Sequence, residues 1–168
     1  RQPGDRKTVM NALNAADYLP HESPMVLLEN IIDVTEETAL CSVVVSENGV
    51  LAPFLNTRGA LPAWYAIELI AQTIGVWSGW HGAQSGLSPQ VGMLLGGRAI
   101  KCSVPEFAAG SELRISVAMV LRDEKLASFE GVICIKREQD NLQVAQGRLN
   151  TYQPDKDELI KLTQGKLE

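Results

Sequence analysis

Residues 63–80, AWYAIELIAQTIGVWSGW, form the longest predicted helix of the chain. Pro62 precedes them, and His81 and Gly82 follow. A proline in the first turn and a glycine after the last turn are typical of the two ends of an α-helix. Apolar residues point in every direction around this helix, so we expect it to be buried on nearly all sides. A membrane span is not predicted, because a carboxylate at mid-bilayer such as Glu68 costs roughly 3 kcal/mol.

The segments around the helix have strand patterns. Residues 25–32 and 38–46 form a predicted hairpin with Glu36 and Glu37 in its turn, and after the helix residues 91–104, 112–123, 126–138 and 142–152 form a predicted antiparallel meander. The first 17 residues are predicted to be a frayed lead-in and residues 157–162 a short surface helix. The predicted class is α+β, with the sheet curled around one long central helix.

Length and composition predict one globular domain over residues 1–168, with a core from about 18 to 152. The chain has 168 residues, 45% hydrophobic and 21% charged, and carries a net charge of −5. Its 15 basic residues are outnumbered by 20 acidic ones, which argues against a nucleic-acid partner.

Three cysteines, Cys41, Cys102 and Cys134, lie far apart in apolar runs and are predicted to be small core residues. No signal-peptide pattern is present, so a reducing, cytoplasmic location is expected. Neither the cysteines nor the two histidines have the spacing of metal ligands, and no metal or cofactor is predicted.

Three segments resemble the 3-hydroxyacyl-acyl carrier protein dehydratases of the hotdog superfamily. Residues 19–28, LPHESPMVLL, are similar to the family's Leu-Pro-His-Arg-x-Pro-Phe-Leu-Leu. Residues 61–72, LPAWYAIELIAQ, are similar to Met-Pro-Gly and a helix with Glu-Ala-x-Ala-Gln, and residues 104–113, VPEFAAGSEL, to a strand end. The resemblance implies a dimeric hotdog protein that acts on 3-hydroxyacyl thioesters of acyl carrier protein or CoA, in fatty acid, polyketide or polyene biosynthesis.

One departure from the family concerns its catalytic histidine. The family carries it in a Gly-His-Phe-Pro-Gly loop, 14 residues before the helix glutamate, a position that Phe54 occupies here. No histidine lies between His21 and His81. The resemblance also implies that each site combines a histidine from one subunit with a carboxylate from the other, so a homodimer of this chain lacks the usual base.

Glu68 is the candidate general acid, because it is the only charged residue in the apolar helix. An unpaired buried carboxylate costs several kcal/mol, so it must be neutral, paired or turned to a cavity. We expect it to face an acyl tunnel, where desolvation favours the protonated form; a structural salt bridge is the alternative. Gln72, one turn later, is expected to orient Glu68, or else to be a core-edge amide bonded to the backbone.

Other candidates follow from the resemblance. Ala63 stands at the family's first-turn glycine, whose backbone N–H polarises the thioester carbonyl. His21 is a base only if its segment folds against the helix, and otherwise a packing residue. The acidic carrier would be received by basic residues near the tunnel mouth, unless these are scattered solvated charges; they are Arg58, Arg98 and Lys101.

The remaining features are predicted to be structural. His81 is expected to interact with the helix dipole. Trp64, Trp77 and Trp80 are interpreted as core or dimer-interface bulk. The stripe of small residues, Ala71, Gly75 and Gly79, lets another backbone approach the helix.

Three functions are consistent with these residues and with the resemblance. The leading hypothesis is a dehydratase-like protein, as a homodimer or as a heterodimer with another hotdog protein. The second is a hotdog thioesterase, in which Glu68 activates water. The third is a catalytically silent subunit that stabilises an active partner.

Overall fold

The structure is a computed structural model that describes residues 13–21, 23–86, 93–97 and 100–152. Helix α1 (Ala66–Gln84) is preceded by a 3-10 turn over Ala63–Tyr65, and two further 3-10 turns cover Ala15–Tyr18 and Ala52–Phe54. The strands are β1 (Asn30–Val34), β2 (Thr38–Val44), β3 (Leu61–Pro62), β4 (Met93–Gly97), β5 (Lys101–Cys102), β6 (Glu106–Phe107), β7 (Glu112–Asp123), β8 (Leu126–Ile135) and β9 (Leu142–Tyr152).

The large sheet is antiparallel, with the order β1-β2-β7-β8-β9-β4, and β5 also pairs with β9. A separate small ladder joins β3 to β6. The helix packs on the sheet so closely that a Cβ on Gly131 of β8 would overlap the Ile70 side chain. This arrangement of a curled sheet around one helix is the predicted hotdog architecture.

The strand predictions differ in accuracy. Strands β7 and β9 have the predicted bounds, and β8 ends at Ile135, before the charged residues 136–138. The predicted run 91–104 contains two short strands, β4 and β5. The first strand was placed wrongly: residues 25–28 lie outside any strand, and β1 begins at Asn30. The predicted C-terminal helix lies outside the described residues, and the single domain over 1–168 stays a prediction.

Helix α1 differs from its prediction at the C-terminal end and on one flank. It continues through Gly82 to Gln84, and the glycine with positive φ (+76°) after the last turn is Gly86. The prediction of burial on nearly all sides was wrong, because Trp64 is 73% and Ile67 36% exposed. No helix among the described residues is long and apolar enough to cross a membrane.

The leading segment, residues 18–21 and 23–27, lies along the small-residue stripe of α1. A Cβ on Gly79 would overlap the backbone of Tyr18, and a Cβ on Gly75 would lie 2.9 Å from Leu19 Cδ2. The Tyr18 ring also contacts Trp80, with 5.3 Å between centroids. The expectation of a frayed lead-in up to residue 17 is wrong for its described end, where Ala15 is fully buried. The stripe therefore seats a segment of the same chain.

Gly79→Ala is expected to destabilise the protein by about 1–3 kcal/mol, because the added methyl group must push the Tyr18 backbone off the helix. Thermal unfolding measures the effect. Gly96→Ala is the matched control, since its added Cβ would have no contact within 4 Å among the described residues beyond its own chain neighbours. Equal midpoints for the two variants would show that the segment is not seated on Gly79.

The cysteines were only partly predicted. Cys41 is fully buried, and burial raises the pKa of its thiol to about 12, so it remains protonated. Cys134 is partly buried. Cys102 is exposed, which contradicts its prediction as a core residue, because β5 is a two-residue strand whose side chains face out.

Candidate functional site

Glu68 lies in the first turn of α1 and lines a cavity of about 580 Å³. Its side chain is 43% exposed, so the expectation of a desolvated carboxyl is wrong. The carboxylate is instead turned to the open cavity. This is one of the three predicted arrangements, the other two being a neutral carboxyl and a paired carboxylate. Gln72 Nε2 donates to Glu68 Oε1 over 3.0 Å.

Gln72 is 1% exposed and joins the helix to the leading segment. Its Nε2 also donates a hydrogen bond of 2.8 Å to the carbonyl oxygen of Met25. Its Oε1 accepts a hydrogen bond of 2.8 Å from the backbone N–H of Leu27. Both interpretations of Gln72 therefore hold together, since the amide is bonded to backbone and also fixes Glu68. An unpaired amide here would be costly, so the contacts fix its orientation.

His21 lies against Glu68, with 3.7 Å between Nε2 and Oε1. The condition for a role as a base, a segment that folds against the helix, is met. Its Nδ1 atom is buried, and no hydrogen-bond partner for it exists among the described residues. His21 also lines a second cavity of about 560 Å³ beside Val26, Leu28 and Val50. The imidazole thus stands between two cavities with one nitrogen toward the carboxylate.

The first cavity runs beside α1 from Glu68 to the far end of the β7–β8 hairpin. Trp77 and Phe129 line its middle, with their rings in edge contact at 5.2 Å, and Arg122 and Lys125 line the hairpin end. The sequence did not point to these two cations, because only the curl of the sheet brings the hairpin to the helix.

Ala63 does not supply the predicted free donor. Its backbone N–H donates to the carbonyl oxygen of Pro105 over 3.1 Å, as a continuation of the β3–β6 ladder. Because strands of two residues leave no pattern in a sequence, this competitor for the N–H was not predicted. The Ala63 N–H is therefore already bonded and is not free to bind a thioester carbonyl.

Two of the three predicted carrier-binding cations, Arg58 and Lys101, do not line the cavity. Arg58 forms a two-nitrogen pair with Glu106, and this contact lowers the pKa of the Glu106 carboxyl. Lys101 is exposed on β5 and does not line the cavity. Arg98 lies outside the described residues. For Arg58 and Lys101, the positions favour scattered surface charges over a carrier-binding cluster at the tunnel mouth.

The loop that carries the catalytic histidine in similar dehydratases is held by Asn56. Its side-chain oxygen accepts from the N–H groups of Arg58 and Ala60, and its Nδ2 donates to Glu106. The Phe54 ring packs on Tyr65, with 5.4 Å between centroids. This loop therefore contributes an apolar contact where a base would stand.

His81 and Trp77 fasten α1 to the β1–β2 turn. His81 Nε2 lies 2.8 Å from the carbonyl oxygen of Thr35, and Trp77 Nε1 donates to that of Glu36 over 3.1 Å. His81 lies in the last turn of α1, as the predicted interaction with the helix dipole requires. It also has the specific contact with the Thr35 carbonyl. Among the described residues, no group of three or more His, Cys, Asp or Glu side chains could hold a metal ion.

Comparisons with known proteins agree with this architecture. The family model described as ApeP-like, ApeP dehydratase, matches residues 13–164. A chain of the dehydratase heterocomplex ApeI:P from Xenorhabdus doucetiae is 53% identical, with a TM-score of 0.80 over 90% of this chain and 97% of that one. No curated protein matches the chain.

More distant structures share the fold alone. A hypothetical thioesterase with coenzyme A from Streptococcus pneumoniae TIGR4 is 15% identical, with a TM-score of 0.56 over 73% of this chain and 83% of that one. The smu.793 protein from Streptococcus mutans UA159, bound to acetyl CoA, is 16% identical, with a TM-score of 0.55 over 79% and 94%.

Proposed function

Because the chain belongs to the ApeP dehydratase family, we propose that it is the subunit of a hotdog dehydratase that supplies the general acid Glu68. The observation that carries the proposal is the carboxylate of Glu68, turned to a large cavity and held there by Gln72. The substrate is a 3-hydroxyacyl thioester of acyl carrier protein or CoA, in fatty acid, polyketide or polyene biosynthesis.

The reaction needs two proton transfers. A base removes a proton from the α-carbon, and the electron pair left there forms the double bond as the bond from the β-carbon to oxygen breaks. The departing hydroxyl takes the proton of the Glu68 carboxyl and leaves as water. Glu68 is suited to this step, because the open cavity gives substrate access and the Gln72 contact limits the carboxyl's rotation.

The base is proposed to come from a second hotdog protein. Phe54 stands where similar dehydratases carry the loop histidine, and the similar chain from Xenorhabdus doucetiae belongs to a heterocomplex. A partner with a loop histidine would complete a site that faces Glu68. A second hotdog subunit would also cover the open flank of α1 at Trp64 and Ile67, which makes an assembly favourable.

A spectroscopic assay tests the proposed reaction. The complex with a histidine-bearing partner should convert a 3-hydroxyacyl thioester to a conjugated enoyl thioester, seen as a new ultraviolet absorbance. Release of free thiol without that absorbance would identify a thioesterase instead. An unchanged rate when Glu68 is replaced by Gln would make the chain a silent stabilising subunit.

His21 is the second candidate for the base, because it alone brings an imidazole to Glu68 within the described chain. With the partner's histidine in place, His21→Ala is expected to lower turnover by less than about tenfold, whereas loss of a true general base lowers it by 10²-fold to 10⁴-fold. His81→Ala is the matched control, an imidazole that lines the same cavity. A loss of 10²-fold or more in His21→Ala alone would assign the base to His21.

A further inference from the structure

His21 has a fixed position on the wall of the first cavity, because the chain is anchored on both sides of it. Two residues before it, Leu19 Cδ2 lies so close to α1 that a Cβ on Gly75 would be 2.9 Å away. Four residues after it, the Met25 carbonyl accepts a hydrogen bond of 2.8 Å from Gln72 Nε2. The imidazole is therefore positioned by the leading segment, and the fold decides the surroundings of each ring nitrogen.

The two ring nitrogens of His21 have different surroundings. Nδ1 is buried and has no hydrogen-bond partner among the described residues, whereas Nε2 faces the Glu68 carboxylate. Neutral imidazole carries a hydrogen on one nitrogen only. A buried N–H without an acceptor is costly and is rarer in proteins than a buried acceptor without a donor. The hydrogen therefore belongs on Nε2, beside a carboxylate that attracts it, and in this tautomer Nε2 is a donor that cannot accept a proton.

The gap between His21 and Glu68 is too wide for a direct hydrogen bond. Nε2 and Oε1 are 3.7 Å apart, beyond the roughly 2.7–3.2 Å of such a bond. One oxygen atom placed beside the pair can lie about 2.8 Å from both. Both side chains line the cavity of about 580 Å³, so the oxygen of a bound ligand has access to this position.

The oxygen that fits this position is the 3-hydroxyl of the proposed substrate. Glu68 Oε1 accepts a hydrogen bond from Gln72, which favours Oε2 as the carrier of the acidic hydrogen. The protonated carboxyl and the His21 N–H are then two neighbouring donors, and a hydroxyl oxygen has two lone pairs that can accept from both. Because the departing hydroxyl must touch Glu68 to receive its proton, the same oxygen comes within reach of Nε2.

We propose that His21 binds the substrate by donating its Nε2–H to the 3-hydroxyl oxygen beside Glu68, and that it is not the general base. As the bond from the β-carbon to oxygen breaks, the hydroxyl takes the Glu68 proton and leaves as water. His21 keeps its hydrogen throughout, and its N–H then faces the carboxylate that has formed. The contact favours acyl groups with a 3-hydroxyl over those without one. This inference rests on the proposed dehydratase function and names a specificity residue of that same site.

Three pantetheine analogues that resist elimination test the contact in the complex with the histidine-bearing partner. A 3-hydroxyacyl amide presents the hydroxyl and the carbonyl, an acyl amide presents the carbonyl alone, and a 3-hydroxyalkyl thioether presents the hydroxyl alone. His21→Ala is expected to weaken binding of the two hydroxyl-bearing analogues about threefold to tenfold, the effect of one neutral hydrogen bond. Binding of the acyl amide should stay unchanged. Titration calorimetry measures all three.

Other results of the titrations would overturn the proposal. Weaker binding of the two amides alone would place the His21 contact on the carbonyl, and equal losses for all three analogues would make His21 a packing residue. Unchanged binding of all three would exclude the contact. His81→Ala is the matched control, because this imidazole lines the same cavity but has its Nε2 at the Thr35 carbonyl, so it should not discriminate among the analogues.

His21→Gln separates a donor from a base. The glutamine amide can donate a hydrogen bond from about the position of the imidazole Nε2, but it does not accept a proton. The variant is expected to bind the hydroxyl-bearing analogues and to turn over substrate within about threefold of the parent complex. A 10²-fold loss of turnover with unchanged binding of the analogues would assign the base to His21 and overturn the proposal.

Failure of this inference and failure of the proposed function give different results. A complex that forms the enoyl thioester, but in which His21→Ala causes no loss specific to the hydroxyl-bearing analogues, contradicts the inference alone. A complex that shows this specific loss but forms no enoyl thioester contradicts the proposed dehydratase function and leaves the hydroxyl contact in place.

Discussion

Dehydration of a 3-hydroxyacyl thioester is expected to rise about 10²-fold to 10⁴-fold when a hotdog protein with the loop histidine is added to the purified chain, because a positioned general base contributes that much. Alone, the chain presents Glu68 but has Phe54, packed on Tyr65, where similar dehydratases carry the base. Enoyl absorbance measured with each protein separately and with the mixture gives the comparison.

The matched control is the same partner with its loop histidine replaced by alanine. That mixture should assemble, as native mass would show, and remain as slow as the isolated chain. Full turnover by the isolated chain would contradict the prediction. In that case the His21→Ala variant decides whether the imidazole beside Glu68 is the base.

The fold was predictable where the hydrophobic pattern is long and regular. Strand β7 alternates buried and partly exposed side chains over most of its length, and its predicted bounds were correct. Residues 26–28 are equally apolar and buried, yet the Leu27 N–H bonds to the Gln72 side chain instead of a neighbouring strand. An apolar run shows that a segment is buried, but its hydrogen-bond partners depend on tertiary structure.

The site was predictable where its residues share one helix. Glu68 was conspicuous as a lone charge, and the spacing of four residues placed Gln72 beside it. The contact of His21 with Glu68 depends on how Gly75 and Gly79 seat a distant segment, so the sequence could state it only as a condition. The position of Arg122 at the cavity depends on the curl of the whole sheet, which local periodicity does not specify.

Glu68 and Glu130 form a matched pair for testing the catalytic carboxylate. Their side chains are 43% and 42% exposed, and in the described part of the chain each lies near a basic side chain: His21 is 3.7 Å from Glu68, and Arg148 is 2.7 Å from Glu130. Surface contacts of this kind contribute about 0–1 kcal/mol, so neither substitution to glutamine should change the unfolding midpoint by more than a few degrees. Any large difference in activity between the variants then reports chemistry.

Glu68→Gln is expected to lower dehydratase turnover of the complex by about 10²-fold to 10⁴-fold, because the amide keeps the shape and the contact with Gln72 but carries no proton acidic enough to give to the departing hydroxyl. Glu130→Gln should retain the parent rate. The enoyl absorbance assay measures both, with thermal unfolding of each complex beside it. If Glu68→Gln unfolds several degrees earlier than Glu130→Gln, the carboxylate is structural. If Glu68→Gln is folded and fully active, another group protonates the hydroxyl, and the chain serves its partner without taking part in the chemistry.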